Sequence, residues 1–189
     1  MRNVILLMHV SLDGFVAGPK GEMDWIKVDE ELFEPVGKIT DEADTAIYGR
    51  ITYEMMENYW PTAAEQPTAT KHDIQHARWV NKALKIVVSK TLQHSSWNNT
   101  KIISGQIAEE IQKQKQLPGK NLLLIGSPQL AHTFMQLDLI DEYYIYLNPI
   151  ILDKGIKLFD DVQHRIKLNL LDVMNFKSGV VGLHYETLL

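Results

Sequence analysis

Apolar residues gather in runs of strand length at residues 4–10, 45–48, 85–89, 101–103, 121–125 and 142–147, and amphipathic stretches lie between them. The run Leu122-Leu123-Leu124-Ile125 is apolar throughout, as expected of a strand buried on both faces. Strands that alternate with helices predict an α/β sheet, mostly parallel and covered by helices on both sides. In residues 30–39 the side chains Leu32, Phe33, Val36 and Ile39 recur at helical spacing. Residues 107–115 turn Ile107, Ala108 and Ile111 inward and Glu109, Glu110, Lys113 and Lys115 toward water. Ser127-Pro128 predicts a helix start, with Ser as N-cap and Pro at the first helical position, and the helix should end near Asp138.

The tail has a different rhythm. Residues 166–174 and 180–188 are apolar-rich and flank Asn175-Phe176-Lys177-Ser178-Gly179, which predicts an antiparallel hairpin completing the sheet. Residues 61–77, with two prolines and scattered polar side chains, read as a mobile surface loop. Alternation puts Tyr144 and Tyr146 on one face of their strand and Tyr143, Ile145 and Leu147 on the other, and one face is expected to meet a second subunit.

Composition narrows the class. At 189 residues and 45% hydrophobic content the chain can enclose one full core, so a single domain over residues 1–189 is expected. A formal net charge of -5 argues against nucleic acid as a partner, because such proteins carry clustered excess Lys and Arg. The first apolar run is too short to cross a bilayer and lacks a cleavage site, which argues against a membrane role and points to a cytoplasmic protein. The absence of cysteine removes disulfides, thiolate nucleophiles and Cys-ligated zinc. His72 and His76 stand four apart, but without a third ligand no metal is assigned.

Three strand-to-helix junctions carry candidate chemistry. Gly49 ends one apolar run ahead of Arg50 and Thr52, combining a close backbone approach, free helix N–H groups and a forked cation suited to phosphate. Ser89-Lys90-Thr91 ends a second, where an open α/β sheet binds its ligand. Gly126-Ser127 ends a third, where close approach, N–H donors and the helix dipole coincide. Two cations, Arg50 and Lys90, favour the 2'-phosphate of NADPH, whereas an acidic residue would favour NADH. Neither a G-x-G-x-x-G nor a G-x-x-x-x-G-K sequence occurs.

Together with Ser11-Leu12-Asp13-Gly14-Phe15-Val16-Ala17-Gly18, Met23-Asp24-Trp25, Thr52-Tyr53-Glu54 and Leu139-Ile140-Asp141-Glu142-Tyr143, these junctions resemble the dihydrofolate reductase-like superfamily. The similarity is greater to the branch of the reductase domain of bacterial riboflavin biosynthesis, and it covers nearly the whole chain. It implies a three-layer α/β/α fold, hydride transfer from NADPH, and often a homodimer. It also implies that Gly49, Arg50 and Thr52 contact the cofactor phosphates and that Ser89, Lys90 and Thr91 surround the 2'-phosphate. Gly126 and Ser127 would lie against the pyrophosphate, and Ala17 and Gly18 beside the nicotinamide.

Near the reacting end the candidates are Ser11, Asp13 and Glu30, the last standing among Asp29, Glu30 and Glu31 where dihydrofolate reductases place a pterin-orienting carboxylate. Asp24 stands where those enzymes carry proline before the Trp, so folate is the second choice. The expected substrate is of the 5-amino-6-(5-phosphoribosylamino)uracil type. A dihydropterin reductase and a non-catalytic NADPH-binding module are the alternatives. The zinc deaminase that accompanies the reductase in the bifunctional riboflavin enzyme needs Cys ligands that this chain lacks.

Overall fold

The computed structural model describes residues 1–160 and 162–188. In chain order the elements are β1 (Val4–Ser11), β2 (Phe15–Ala17), α1 (Glu30–Asp41), β3 (Ala43–Gly49), α2 (Arg50–Ala63), α3 (Lys71–Lys82) and β4 (Leu84–Val88). They continue with β5 (Thr100–Ile103), α4 (Ile107–Gln116), β6 (Asn121–Ile125), α5 (Pro128–Gln136), β7 (Glu142–Asn148), β8 (Ile156–Lys157), β9 (Leu168–Asn175) and β10 (Val181–Thr187). The main sheet has the order β5-β4-β3-β6-β1-β7-β10-β9, and β2 with β8 forms a separate antiparallel ribbon.

The five pairings from β5 across to β7 are parallel, and β10 is antiparallel to both β7 and β9. The predicted mostly parallel sheet with a C-terminal hairpin is the observed one. Alternation on the central strand β1 explains the layers: Val4, Leu6, Met8 and Val10 enter one core with Ile111 of α4 and Phe134 of α5. Ile5 and Leu7 enter the opposite core with Leu32 and Ile39 of α1. On that second face α2 and α3 cover β3 and β4 through Tyr53 and Val80. The expected split of the β7 tyrosines holds, with Tyr143 on the α4–α5 side and Tyr146 on the α1 side.

The expected loop over residues 61–77 is overturned. α2 runs to Ala63 and α3 begins at Lys71, so only residues 64–70 connect them. The physical reason is a reciprocal cap: the Thr70 hydroxyl accepts the Asp73 N–H at 3.1 Å, and the Asp73 carboxylate accepts the Thr70 N–H at 2.8 Å. Ala77 and Val80 then bury the inner face of the helix. Among the described residues no helix is long and apolar enough to cross a membrane.

α3 is also held by an aromatic cluster. His76 lies 4.2 Å from the Trp60 ring, 5.2 Å from Trp79 and 5.6 Å from His72, which itself stacks on Phe33 of α1 at 3.7 Å. Burial, reinforced by His72, pushes the His76 imidazole down to about 3. The unfolded chain protonates near the ordinary value of 6.5. As pH falls from 6.5 toward 3 it therefore takes up a proton that the folded state refuses, and stability is lost across that window. Thermal midpoints should decline from pH 6.5 to pH 4, less steeply in His76→Phe than in the parent. Equal slopes would contradict this assignment.

Candidate functional site at the carboxyl edge

Parallel strands deliver their carboxyl ends to one edge of the sheet, and there the chemistry-bearing residues assemble. In spatial order these are Ser89 after β4, Gly49 closing β3, Gly126-Ser127 after β6, Ser11 closing β1 and Asn148 closing β7. Sequence reasoning thus named residues on four of five adjacent strands.

Two of the junctions are physically joined. The Gly49 N–H donates to the Ser127 hydroxyl at 2.9 Å, across 78 residues of sequence. Ser127 occupies the N-cap position of α5 as expected, but its hydroxyl does not cap that helix. Its backbone is left-handed at φ 57°, directly after Gly126 at φ 60°, which aims the side chain back at β3. Gly126 thus has a conformational reason to be glycine. Gly49 has none: its φ is -77°, and an added Cβ would meet only ordinary contacts, the nearest 3.5 Å away at Ser127. What an added methyl would obstruct is a close approach from outside.

Capping separates the helices into two groups. α1 and α3 are closed by side chains, Asp29 accepting from the Leu32 N–H at 2.9 Å and Thr70 from Asp73. α2, α4 and α5 have no side-chain cap, and each begins directly after the carboxyl end of β3, β5 or β6. Three sets of first-turn N–H groups and three positive dipole ends therefore meet along one edge, an arrangement that favours an extended anion. Thr52 lies in the first turn of α2 with its methyl toward Gly126.

The cations differ in how freely they are held. Arg50 pairs with Glu54 one turn along at 2.8 Å, both side chains 42% exposed. Such an exposed pair is worth only a few tenths of a kcal/mol, so phosphate can displace it. Lys90 is exposed and has no side-chain partner among the described residues. It borders a groove of about 520 Å3 with Ser89, Ser104, Gly105 and Gln106, at the N-terminus of α4. The Ser89 hydroxyl accepts the Thr91 and Leu92 N–H groups at 3.1 and 2.9 Å and shapes that turn.

Ser11 and Asp13 build the neighbouring turn. The buried Ser11 hydroxyl donates to the Asp13 carboxylate at 2.7 Å and accepts the Phe15 N–H at 2.9 Å. Desolvation alone would raise the Asp13 carboxyl, but the Ser11 hydroxyl and the Leu152 and Asp153 N–H groups outweigh it and hold it below the carboxylate norm. This clasp fixes residues 11–18, with Ala17 and Gly18 buried within them, against residues 150–153.

Of the three acidic candidates at α1, Asp29 is used as a cap and Glu31 accepts the Lys177 N–H at 3.1 Å, leaving Glu30 without a partner among the described residues. Glu30 opens toward a separate groove of about 1050 Å3 between α1 and α3, and not toward Ser11 and Asp13. No group of His, Asp and Glu among the described residues could hold a metal ion.

Two residues that sequence reasoning missed stand beside the turn. Asn148 is fully buried, and His9 lies opposite Tyr146 on β1 and stacks on its ring at 5.2 Å. Burial pushes the His9 imidazole down to about 4. Nothing in local sequence marks either one, since their meeting depends on the register between β1 and β7.

Mostly parallel α/β sheets of this class take their ligands at the carboxyl edge of the strands, and comparison with known proteins identifies the family. The RibD C-terminal domain family matches residues 2–182, and the chain belongs to it. YyaP of Bacillus subtilis (strain 168) is 36% identical over 187 residues, covering 98% of this chain and 95% of its own. A Shewanella sp. PV-4 protein assigned provisionally to riboflavin biosynthesis has TM-score 0.74 at 20% identity, over 99% of each chain. The Thermotoga maritima diaminohydroxyphosphoribosylaminopyrimidine deaminase/5-amino-6-(5-phosphoribosylamino)uracil reductase has TM-score 0.67 at 15% identity, over 99% of this chain and 57% of its own. At these identities the two solved structures show a shared fold.

The contrast between the two glycines is testable. Gly126→Ala should cost about 1–2 kcal/mol in urea unfolding, the penalty of a left-handed non-glycine residue. Gly49→Ala should leave the midpoint near that of the parent, and equal losses in both would refute the distinction.

Proposed function

We propose that the protein is an NADPH-dependent reductase of a small heterocycle, with a substrate of the 5-amino-6-(5-phosphoribosylamino)uracil type. The observation that carries this reading is the meeting of three uncapped helix N-termini on one sheet edge, next to Lys90, which has no side-chain partner among the described residues, and a loosely paired Arg50. Membership in the RibD C-terminal domain family supports it, as does the reductase activity named for the Thermotoga maritima protein of the same fold.

In this reading Gly49, Gly126-Ser127, the first-turn N–H groups of α2 and α5, and Arg50 with Thr52 would hold the pyrophosphate. Ser89, Lys90 and Thr91, beside the α4 groove, would hold the 2'-phosphate. Ala17 and Gly18 would flank the nicotinamide. Bound NADPH supplies the hydride, and the protein supplies position and exclusion of water. The Ser11–Asp13 clasp holds the wall of residues 11–18 rigid, so both residues serve as positioning groups. Glu30 faces the α1–α3 groove, and water supplies the proton to the reduced product.

Fluorescence titration should show NADPH binding at least about tenfold more tightly than NADH, the worth of one charge-assisted contact. Lys90→Ala should narrow that gap, and Gly49→Ala should weaken NADPH binding in a protein that still melts normally. Nicotinamide absorbance should fall on adding the phosphoribosylaminopyrimidine. Equal affinities for the two dinucleotides would overturn the cofactor assignment, and tight binding without turnover would leave a binding module.

We also propose that two copies associate through β9. This edge strand exposes Leu168, Leu170, Leu171 and Val173, a liability in a monomer and a natural contact in a dimer. Sedimentation should report a dimer, and Leu170→Lys should shift it to monomer. A monomeric parent would refute the association.

A further inference from the structure

The strands at the carboxyl edge end at different heights. β1 pairs with β6 only as far as Leu7 and Ile125, yet its pairing with β7 continues through His9 and Tyr146 to Ser11 and Asn148. Beyond Leu7, β1 therefore has no strand on its β6 side. His9 sits in this notch, between the Gly126-Ser127 turn and the Ser11 turn, on the α1 face shared by Ile5 and Leu7.

The hydrogen bonds around Asn148 determine the state of the His9 ring. The Lys27 backbone N–H can only donate, and it meets Asn148 Oδ1 at 3.0 Å. The Tyr146 carbonyl can only accept, and it meets Asn148 Nδ2 at 3.0 Å. Two single-role partners fix the amide in one orientation, so Nδ2 must also donate in its 3.3 Å contact with His9 Nδ1. His9 Nδ1 then carries a lone pair, and the ring proton resides on Nε2.

No hydrogen bond reaches Nε2 from the described residues. Among the described residues the sealed side-chain polar atoms without a partner are the hydroxyls of Tyr48, Tyr146 and Ser178, and His9 Nε2 is not one of them. It is thus an N–H donor, on a half-buried ring, that is not sealed from solvent, beside the Gly126-Ser127 and Ser11 turns. Burial, which pushes the imidazole down to about 4, keeps it uncharged at neutral pH.

We propose that His9 Nε2–H is the hydrogen bond by which the protein orients its heterocyclic substrate, donating to a ring carbonyl or ring nitrogen, and that Asn148 fixes this donor state. The inference rests on the reductase reading above and names the substrate feature that the site selects. His9 contacts the substrate, and Asn148 is a positioning residue. A neutral fixed donor suits an uncharged acceptor on a pyrimidine-type ring, and a ring that presents an N–H at the same point would leave two donors facing each other.

The test pairs a spectrum with kinetics. In protein carrying 15N-labelled histidine, long-range 1H–15N correlations at neutral pH should show the His9 proton on Nε2, the signal being assigned by its loss in His9→Gln. Asn148→Asp keeps the acceptor for the Lys27 N–H but replaces the donor facing His9 by a carboxylate, so the proton should move to Nδ1. With NADPH and the phosphoribosylaminopyrimidine, Asn148→Asp and His9→Phe should raise KM about tenfold or more with a smaller change in kcat. His9→Phe keeps a ring to stack on Tyr146, and His9→Gln places an amide N–H near the Nε2 position and should recover most of the loss.

A parent protein with the His9 proton on Nδ1, or an unchanged KM in His9→Phe, overturns this inference while turnover leaves the reductase reading intact. Absence of any turnover by the parent defeats the reductase reading, and the substrate role of His9 falls with it.

Discussion

The structure depends on one constraint: neighbouring parallel strands can end on the same edge only if the chain is carried back to the opposite edge between them. Helices do this on both faces, and the consequence is that α2, α4 and α5 each start where a strand has just ended. Unpaired N–H groups accumulate along that edge as a by-product of topology. The sequence decides which starts are closed. Asp29 and Thr70 close α1 and α3, while Gly49, Gln106 and Ser127 leave the other three open.

The Gly49–Ser127 hydrogen bond converts two open starts into one surface. A serine that capped its own helix would satisfy α5 and remove a donor from the edge. In the left-handed conformation that follows Gly126, the same hydroxyl serves β3, and α5 keeps its free N–H groups. On the other side of β1 the clasp of Ser11 and Asp13 onto residues 150–153 provides a wall, and the unequal strand ends leave the notch that holds His9. The Gly126-Ser127 turn and the His9 notch are therefore adjacent because β6 and β1 are adjacent.

Much of this was legible in sequence. Unbroken apolar runs such as residues 122–125, bounded by turn residues, fit interior strands, and strand-to-helix junctions with Gly49, Ser89 and Gly126 mark the edge. α3 reads as loop because the prolines at 61 and 67 and the scattered polar side chains dominate its segment, while the Thr70–Asp73 pair, a helix-start signal, goes unused in that reading. The Ser127 side chain was misdirected because its backbone is left-handed, which no N-cap rule anticipates. His9 and Asn148 lie 139 residues apart, and their contact follows from a strand register that local sequence does not encode. Glu30 was correctly placed at a helix start, but the direction it faces depends on how α1 packs against α3.

The most direct measurement is a crystal structure of the protein grown with NADPH. The pyrophosphate should lie against Gly49 and Gly126-Ser127, the 2'-phosphate beside Lys90, and the nicotinamide at the notch near His9. Density for the dinucleotide in the α1–α3 groove, or an edge left empty at saturating NADPH, would contradict this placement.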